Sequence, residues 1–246
     1  MEVNSLREPK MADRVATVIR RMCIRGEIPF GTILPPESEL IERFGVSRPT
    51  LREAFRVLES ESLIEVQRGV RGGARVTRPT RETLARYAGL ILEYEGVTLK
   101  DVYDARTALE THMLAQVAVK PDAAAIAKLE AALARAEEAR SSDELTDRQT
   151  DFHATIAELS GNKTLHVISD MLYFIIAKAN KSVQPIEGPR AESARRRSTA
   201  THQQVVDLIK NHKTAEVMAL WTKHLQRAEE YVLAGAELST VVDLLE

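Results

Sequence analysis

In the first eighty residues, apolar and polar positions alternate with helical periodicity in three stretches. In the first, "KMADRVATVIRRMCIRGEI", apolar side chains recur every three or four residues opposite a basic face. The Pro35–Pro36 pair then interrupts the pattern, and "ESELIERFG" predicts a short helix that ends at Gly45. Only two residues separate this glycine from the next helix, "RPTLREAFRVLESESL", for which Ser47 is a suitable N-cap. Two helices joined by so short a turn predict a helix-turn-helix.

Two short strand-like segments follow the second of these helices. They cover residues 63–67 and 74–77, and the glycine-rich stretch between them favours a tight connection. A β-hairpin directly after a helix-turn-helix is the arrangement of a winged helix-turn-helix. Pro79 lies in the polar stretch that comes next, so we place the end of the N-terminal domain at residue 78.

From about residue 80 onward the spacing of apolar residues is helical and no strand pattern is found. Glycine and proline divide this part into seven helical segments, with approximate bounds 81–95, 98–119, 122–141, 144–160, 162–183, 190–211 and 214–235. Short connections favour antiparallel neighbours. The sequence therefore predicts a mainly α protein. Residues 1–78 form a winged helix-turn-helix with a small β-hairpin wing, and residues 79–246 form an antiparallel all-α bundle of six or seven helices.

Composition and charge limit the classes of function. The net charge of the chain is −2, but residues 1–80 carry 14 lysines and arginines against 11 acidic residues, a net +3. A basic first third on an acidic remainder fits a DNA-contacting module joined to a second domain. The single cysteine, Cys23, permits no internal disulfide. The opening "MEVNSLREPK" lacks the apolar stretch of a signal peptide, and the longest apolar runs are too short to span a bilayer. We expect a cytoplasmic protein that does not enter a membrane.

The helix after Gly45 has the chemistry of a DNA-recognition helix. Arg48 and Arg52 are four residues apart and share one face near its N-terminus, where Ser47 and Thr50 are small and polar. A recognition helix enters the major groove with its N-terminal residues first, and arginine there can bind a guanine edge or a phosphate. Arg68 lies on the predicted wing and is placed to reach the adjacent groove or backbone.

The stretch "ILPPESELIERFGVSRPTLREAFRVLESESLIEVQRGVRGGARV" resembles the DNA-binding domain of GntR-family bacterial transcription regulators, and with the preceding helix the resemblance covers nearly all of residues 10–78. It implies DNA contacts at Arg48 and Arg52, support from Thr50, and wing contacts at Arg68 and Gly69. Several members carry arginine between the two glutamates of "PPESE", where this chain has Ser38. A contact at that position would be weaker or absent, so the departure implies a different operator.

Three of the six histidines suggest a second site. His153, His202 and His224 lie in the middle of three different predicted helices, and the last two occur in similar patterns, "THQQVVDLI" and "WTKHLQRA". Helix bundles build metal sites from side chains on facing helices. Neutral imidazole is a ligand for zinc, nickel, copper and iron. Spacing alone gives only weak support for such a site.

The C-terminal part resembles the FCD-type ligand-binding domain of the FadR subfamily, through "DVYDARTALETHMLAQVA", "DFHATIAELSGN", "THQQVVDLI" and "MALWTKHLQRA". In that family an aspartate and three histidines often hold a divalent metal. The histidines correspond to His153, His202 and His224, but the aspartate is replaced by Gln149. A glutamine amide brings only a dipole to a cation, so the resemblance favours zinc or nickel over magnesium or manganese. A metal-free pocket in which the histidines bind an acidic effector directly remains the alternative.

Taken together, these features predict a ligand-responsive bacterial transcription regulator, a repressor and a homodimer, that binds a pseudo-palindromic operator. We expect the effector to be a small organic acid. The resemblance places Arg106 toward the pocket, where it would bind a carboxylate of the effector, with Gln149 beside it. A sensing domain that has lost its metal and serves mainly for dimerisation is a second hypothesis. A metallohydrolase is a third, and we do not expect an enzyme, because the chain has no H-E-x-x-H motif and Gln149 cannot act as a base.

Overall fold

The computed structural model describes residues 10–67, 73–183 and 188–234, and the chain divides into two compact units between Thr83 and Leu84. The first unit holds three helices and a two-stranded antiparallel sheet: α1 (Met11–Ile24), α2 (Glu37–Phe44), α3 (Arg48–Ser60), β1 (Ile64–Gln67) and β2 (Gly73–Val76). The order of elements is that of a winged helix-turn-helix, as the sequence predicts.

Backbone chemistry explains the short turn between α2 and α3. Gly45 ends α2 with φ 62° and ψ 37°, a left-handed conformation that favours glycine. Two residues later the Ser47 hydroxyl accepts a hydrogen bond from the Thr50 amide and caps α3, whose first turn contains Pro49. The chain therefore changes direction without a longer loop, and α3 packs against α1 and α2.

The core of the first unit is made by the apolar faces of its helices and of the hairpin. α3 contributes four buried residues: Leu51, Ala54, Phe55 and Leu58. In the hairpin, Ile64 pairs with Val76 and Gln67 with Gly73, so that the buried side chains of both strands join the same cluster. The opposite face of α3, which carries Arg48 and Arg52, is left to solvent.

Seven helices form the described part of the C-terminal unit: α4 (Arg81–Tyr94), α5 (Leu99–Val119), α6 (Ala123–Glu137), α7 (Ser142–Leu159), α8 (Lys163–Val183), α9 (Pro189–Lys210) and α10 (Thr214–Leu233). Local side chains set several of the starts. Thr98 and Asp101 form a capping box on α5, and Asp122 and Ser141 cap α6 and α7. These bounds confirm the predicted all-α bundle to within a few residues at each end.

Two apolar clusters hold this bundle together. One draws buried residues from α5, α6, α7, α9 and α10 and includes the fully buried Trp221. The other joins α4, α5, α8 and the end of α10. Since α5 and α10 contribute to both clusters, these two helices connect them. Within the described ranges, none of the helices combines the length and apolar character needed to cross a bilayer.

Candidate functional site

Three helices bring the predicted histidines together. His153 lies on α7, His202 on α9 and His224 on α10, and one nitrogen from each lies within 4.8 Å of the others. His153 and His202 are almost fully buried. The sequence places these residues 22 to 71 positions apart, so their convergence is a product of the bundle.

The separations among the imidazole nitrogens suit a shared metal ion. Nε2 of His202 is 3.2 Å from Nε2 of His224, which is 3.5 Å from Nε2 of His153. Two nitrogens at about 2.0–2.1 Å from one tetrahedral zinc ion are roughly 3.3–3.4 Å apart, so the observed pairs bracket this value. Nε2 of His224 thus lies at a metal-sharing distance from Nε2 of each of the other two rings, and one nitrogen of every ring lies within 4.8 Å of the others.

A buried carboxylate fixes the orientation of His153. Glu110 on α5 is 1% exposed, and its Oε2 lies 2.6 Å from Nδ1 of His153. Because a carboxylate only accepts, Nδ1 of the neutral ring carries the hydrogen and Nε2 keeps its lone pair. Carboxylates commonly hold metal-binding histidines in this way. Oε1 of the same carboxylate accepts from Nε of Arg106 at 2.6 Å.

Burial and neighbouring charges determine the protonation of the group. Burial lowers the pKa of His153 and, strongly, that of His202. For His224, burial together with His153 and Arg106 lowers the pKa to about 3. Burial acts to raise the pKa of Glu110, but Arg106 and His153 outweigh it and lower that pKa to about 2. Near neutral pH the site therefore consists of neutral imidazoles beside an ionised Arg106–Glu110 pair.

Gln149 occupies the position on α7 one turn before His153 and is 9% exposed. Its Nε2 donates to the backbone carbonyl of Arg195 at 2.9 Å and to the Thr199 hydroxyl at 3.0 Å. Both amide hydrogens are thereby used to tie α7 to α9. The side chain thus has a structural role in addition to the one the sequence predicts for it.

A cavity of about 470 Å³ adjoins the histidines. Its wall contains Arg106, Gln149, His153 and His224, three further arginines (Arg195, Arg197 and Arg227) and three tyrosines (Tyr103, Tyr173 and Tyr231). Asp143 and Asp147 are the acidic residues of the lining. Four arginines against two aspartates give the cavity a positive charge, which favours an anionic molecule.

Aromatic residues form the apolar side of the histidine cluster. The ring of Phe152 stacks on His202 with 4.3 Å between centroids. Trp221 lies 4.8 Å from His153 and 5.0 Å from His224, measured between ring centroids. Since the chain contains one tryptophan, its fluorescence reports on this site alone.

The exposed face of α3 presents the residues predicted to read DNA. The side chains of Arg48 and Arg52 are 62% and 60% exposed. Both approach Glu37, the first residue of α2: Nε of Arg52 is 3.4 Å from its carboxylate oxygens and Nε of Arg48 is 3.9 Å from one of them. One carboxylate therefore lies close to both arginines at the start of α3.

The structure describes some of the other positions predicted to contact DNA and not others. Ser47 and Thr50 lie together at the start of α3, with 2.8 Å between their hydroxyl oxygens. Ser38 is exposed on α2. Arg68 and Gly69, predicted for the wing, lie outside the described residues.

Sequence reasoning missed two residues of these sites. Glu110, which binds both Arg106 and His153, was not assigned to the site from the sequence, and neither was Glu37. The spacing of Arg106 and Glu110, four residues apart in a segment that resembles a ligand-binding domain, was the available signal for the first. For Glu37, the signal was an acidic residue in the first turn of the helix preceding two arginines.

Models of two protein families match the chain. The model described as "FCD domain" matches residues 101–227, about half of the chain. The model described as "Bacterial regulatory proteins, gntR family" matches residues 11–76. The first range contains all three histidines, and the second contains α2, α3 and the hairpin.

The chain is similar to curated proteins that are described as transcriptional repressors. The chain is 28% identical, over 89% of its length and 84% of the relative's, to the "HTH-type transcriptional repressor NanR" of Enterobacter sp. (strain 638). It is 31% identical, over 66% of its length and 64% of the relative's, to the protein of that description from Citrobacter rodentium. A solved structure, "Streptococcus agalactiae GntR", aligns with a TM-score of 0.63 at 20% identity, covering 89% of this chain and 99% of the other.

Proposed function

Because the chain belongs to the FCD-domain regulators of the bacterial gntR family and is a ligand-responsive DNA-binding transcription regulator, we propose that it represses its target genes until a small anionic effector binds in the C-terminal unit. The relatives that it matches over most of its length are described as repressors. The observation that carries the proposal is the presence, in one chain, of an exposed arginine pair on α3 and a positively lined cavity beside three histidines.

Operator recognition is assigned to the face of α3. Arg48 and Arg52 are mostly exposed, lie one turn apart and both approach the Glu37 carboxylate, an arrangement suited to neighbouring bases or phosphates. Ser47 and Thr50 add hydroxyl donors at the same helix end, where the helix dipole also favours phosphate. Arg68 and Gly69 are proposed to contact the adjacent groove or backbone.

The test of this assignment is a double substitution. An operator is first selected from random duplexes by the intact protein, and the Arg48→Ala/Arg52→Ala variant is then titrated with it. Specific binding should be lost, because two contacts of about 1–3 kcal/mol each are removed. An Arg21→Ala/Arg43→Ala variant removes the same charge from exposed positions on α1 and α2 and should keep its operator preference. Undiminished binding by the first variant would refute the assignment.

The histidine cluster fits a divalent transition metal. His153, His202 and His224 would hold it through their Nε2 atoms, since these converge at separations suited to zinc and are neutral. Glu110 would orient His153 from the far side of its ring. Gln149 contributes no charge, which favours zinc or nickel over harder cations. When bound, the metal would supply a Lewis acid that attracts an oxygen of the effector.

The effector is assigned to the adjoining cavity. Its excess of arginines favours a carboxylate, and the tyrosine, serine and threonine hydroxyls of the wall can bind further polar groups. Arg106 and Gln149 both line the cavity and are the proposed contacts nearest the histidines. An unbiased thermal-shift screen of organic acids tests this, because a ligand that binds only the folded state raises the melting temperature.

A second copy of the chain is the proposed partner of helix α4. Four large apolar residues of this helix lie on one stripe and are 40–89% exposed: Leu84, Tyr87, Ile91 and Tyr94. Arg86 flanks the stripe in the N-terminal half, and Glu93 and Glu95 flank its C-terminal end. An antiparallel copy of the helix would cover the apolar stripe and place opposite charges across from each other. A homodimer of this kind fits a pseudo-palindromic operator.

We propose that the histidine site senses and does not hydrolyse. The carboxylate that contacts the cluster, Glu110, is committed to His153 and Arg106, and Gln149 offers no base for activating water. Turnover of ester or amide substrates that is lost in His202→Ala would contradict this.

A regulator of operator DNA acts where the chromosome lies, so the cytoplasm is the proposed location.

A further inference from the structure

The guanidinium group of Arg106 lies directly against His153. Its Nη2 atom is 3.1 Å from Nδ1 and 3.3 Å from Nε2 of the ring. Because the two distances are nearly equal, the nitrogen sits against the ring and not in line with one lone pair. The Arg106 side chain is 12% exposed, so little water separates this charge from the histidines.

Among the described residues, the charged groups within hydrogen-bonding distance of the histidines balance without a metal. Arg106 contributes one positive charge and Glu110 one negative charge, and the two are hydrogen-bonded at 2.6 Å. The histidines are neutral and Gln149 stands where a negative ligand would be useful. A divalent ion on Nε2 of His153 would therefore add two uncompensated positive charges within a few ångströms of a guanidinium group that is already there.

Space for another position of Arg106 exists next to the site. The cavity of about 470 Å³ has Arg106 in its wall, together with Asn180, which accepts a hydrogen bond from the Tyr103 hydroxyl. The guanidinium carbon is 5.8 Å from the ring centroids of both Tyr103 and Tyr173. An anion in the cavity would find this arginine within reach, and the tyrosine rings would line its path.

We propose that Arg106 and a divalent metal oppose each other at the histidine cluster, so that an anion which pairs with Arg106 in the cavity increases the affinity of the site for metal. This inference rests on the proposed sensing function and adds that the effector controls how tightly the site binds metal. Linkage makes the effect reciprocal: bound metal must raise the affinity for the anion by the same factor. The metal and the effector are then sensed together.

Metal affinity tests the proposal directly. Protein freed of metal is titrated with Zn²⁺ in competition with a chromophoric chelator, and Trp221 fluorescence follows the site. Arg106→Gln should bind Zn²⁺ at least tenfold more tightly than the parent protein. Arg148→Gln removes a charge from a more exposed position on α7, where Arg148 pairs with Glu144 and Asp151, and should leave the affinity unchanged. Equal or weaker zinc binding by Arg106→Gln would overturn the proposal.

Arg106→Gln leaves Glu110 without its counter-ion and could misfold for that reason, so a second pair of variants repeats the comparison without the charge of Glu110. The double variant Arg106→Gln/Glu110→Gln removes both charges and should bind Zn²⁺ more tightly than Glu110→Gln alone; equal affinities would contradict the proposal. In a third arm, acetate should tighten zinc binding severalfold in the parent protein and not in Arg106→Gln, and the same response in both would count against it. Operator binding is measured separately on each variant, so a failure of DNA recognition is distinguishable from a failure of this coupling.

Discussion

The carboxylate of Glu110 lies 2.6 Å from Nδ1 of His153 and leaves the lone pair of that ring on Nε2. We expect Glu110→Gln to weaken zinc binding by about 10- to 100-fold, because partners of this kind hold the ring and raise its basicity. The loss also leaves Arg106 without its counter-ion, which acts in the same direction. Chelator competition on metal-free protein measures the change.

Glu158→Gln is the matched control for that substitution. Glu158 is exposed on α7, the helix of His153, and pairs with Lys128 at 2.7 Å. The Glu158→Gln variant should bind zinc with the same affinity as the parent protein. An equal loss of affinity in both variants would mean that Glu110 has no special relation to the site.

Gln149→Asp supplies the negative charge that the histidine cluster lacks. We expect at least tenfold tighter zinc binding, since a carboxylate one helical turn before His153 can reach the same cation. Without metal the variant should be less stable, by about 1 kcal/mol for each of the two hydrogen bonds that the amide makes to α9. Thermal unfolding with and without zinc measures both effects.

The exposed Gln203 offers a control for this change. Gln203→Asp places the same new charge on the exposed face of α9 and should alter neither the affinity of the protein for zinc nor the effect of zinc on its melting. Should Gln149→Asp behave in the same way as this control, the position has no access to a metal.

The fold could be predicted from the sequence because its signals are local. Gly45 and Ser47 set the turn, and Gly161 and Pro121 mark helix ends that the structure places within a few residues. The convergence of the histidines was available only through resemblance, since three residues on separate helices leave no periodic trace. The contact of Glu110 with His153 spans 43 positions and depends on how α5 packs against α7, which spacing along the chain does not encode.

Glu37 is expected to increase the discrimination of DNA sequences. It holds Arg52 and Arg48 through its carboxylate, and it also places a negative charge at the proposed phosphate-contacting surface. Glu37→Gln should therefore bind unrelated DNA more tightly while its preference for operator falls severalfold. Fluorescence anisotropy with operator and scrambled duplexes at several salt concentrations separates the two effects.

Glu53→Gln removes one carboxylate from α3 itself, where it pairs with Arg56 at 3.0 Å. This variant should keep the ratio of operator to unrelated binding. If both glutamate variants lose the same preference, general charge and not the orientation of the arginines accounts for the effect.

A charge in the apolar stripe of α4 should separate the proposed homodimer. Ile91 is 63% exposed at the middle of the stripe, so Ile91→Asp would bury a carboxylate between the two copies. We expect monomers at concentrations where the parent protein is dimeric, measured by sedimentation equilibrium. Val119→Asp, at a position 71% exposed at the end of α5, should leave the dimer intact. A dimer that survives Ile91→Asp unchanged would place the interface elsewhere.

The buried histidines make the metal-free protein sensitive to mild acid. The pKa of His224 is lowered from 6.5 to about 3 when the protein folds, so between these values the unfolded chain binds a proton that the folded one does not. The free energy of unfolding should therefore be fully retained above pH 6.5 and fall as the pH drops, by at most about 1.4 kcal/mol per pH unit for each such group. His224→Gln should lose about 2 kcal/mol less than the parent protein between pH 7 and pH 5. Urea unfolding at the two pH values, in the presence of a chelator, provides the comparison, and an identical fall in both proteins would show that His224 is not held neutral by the fold.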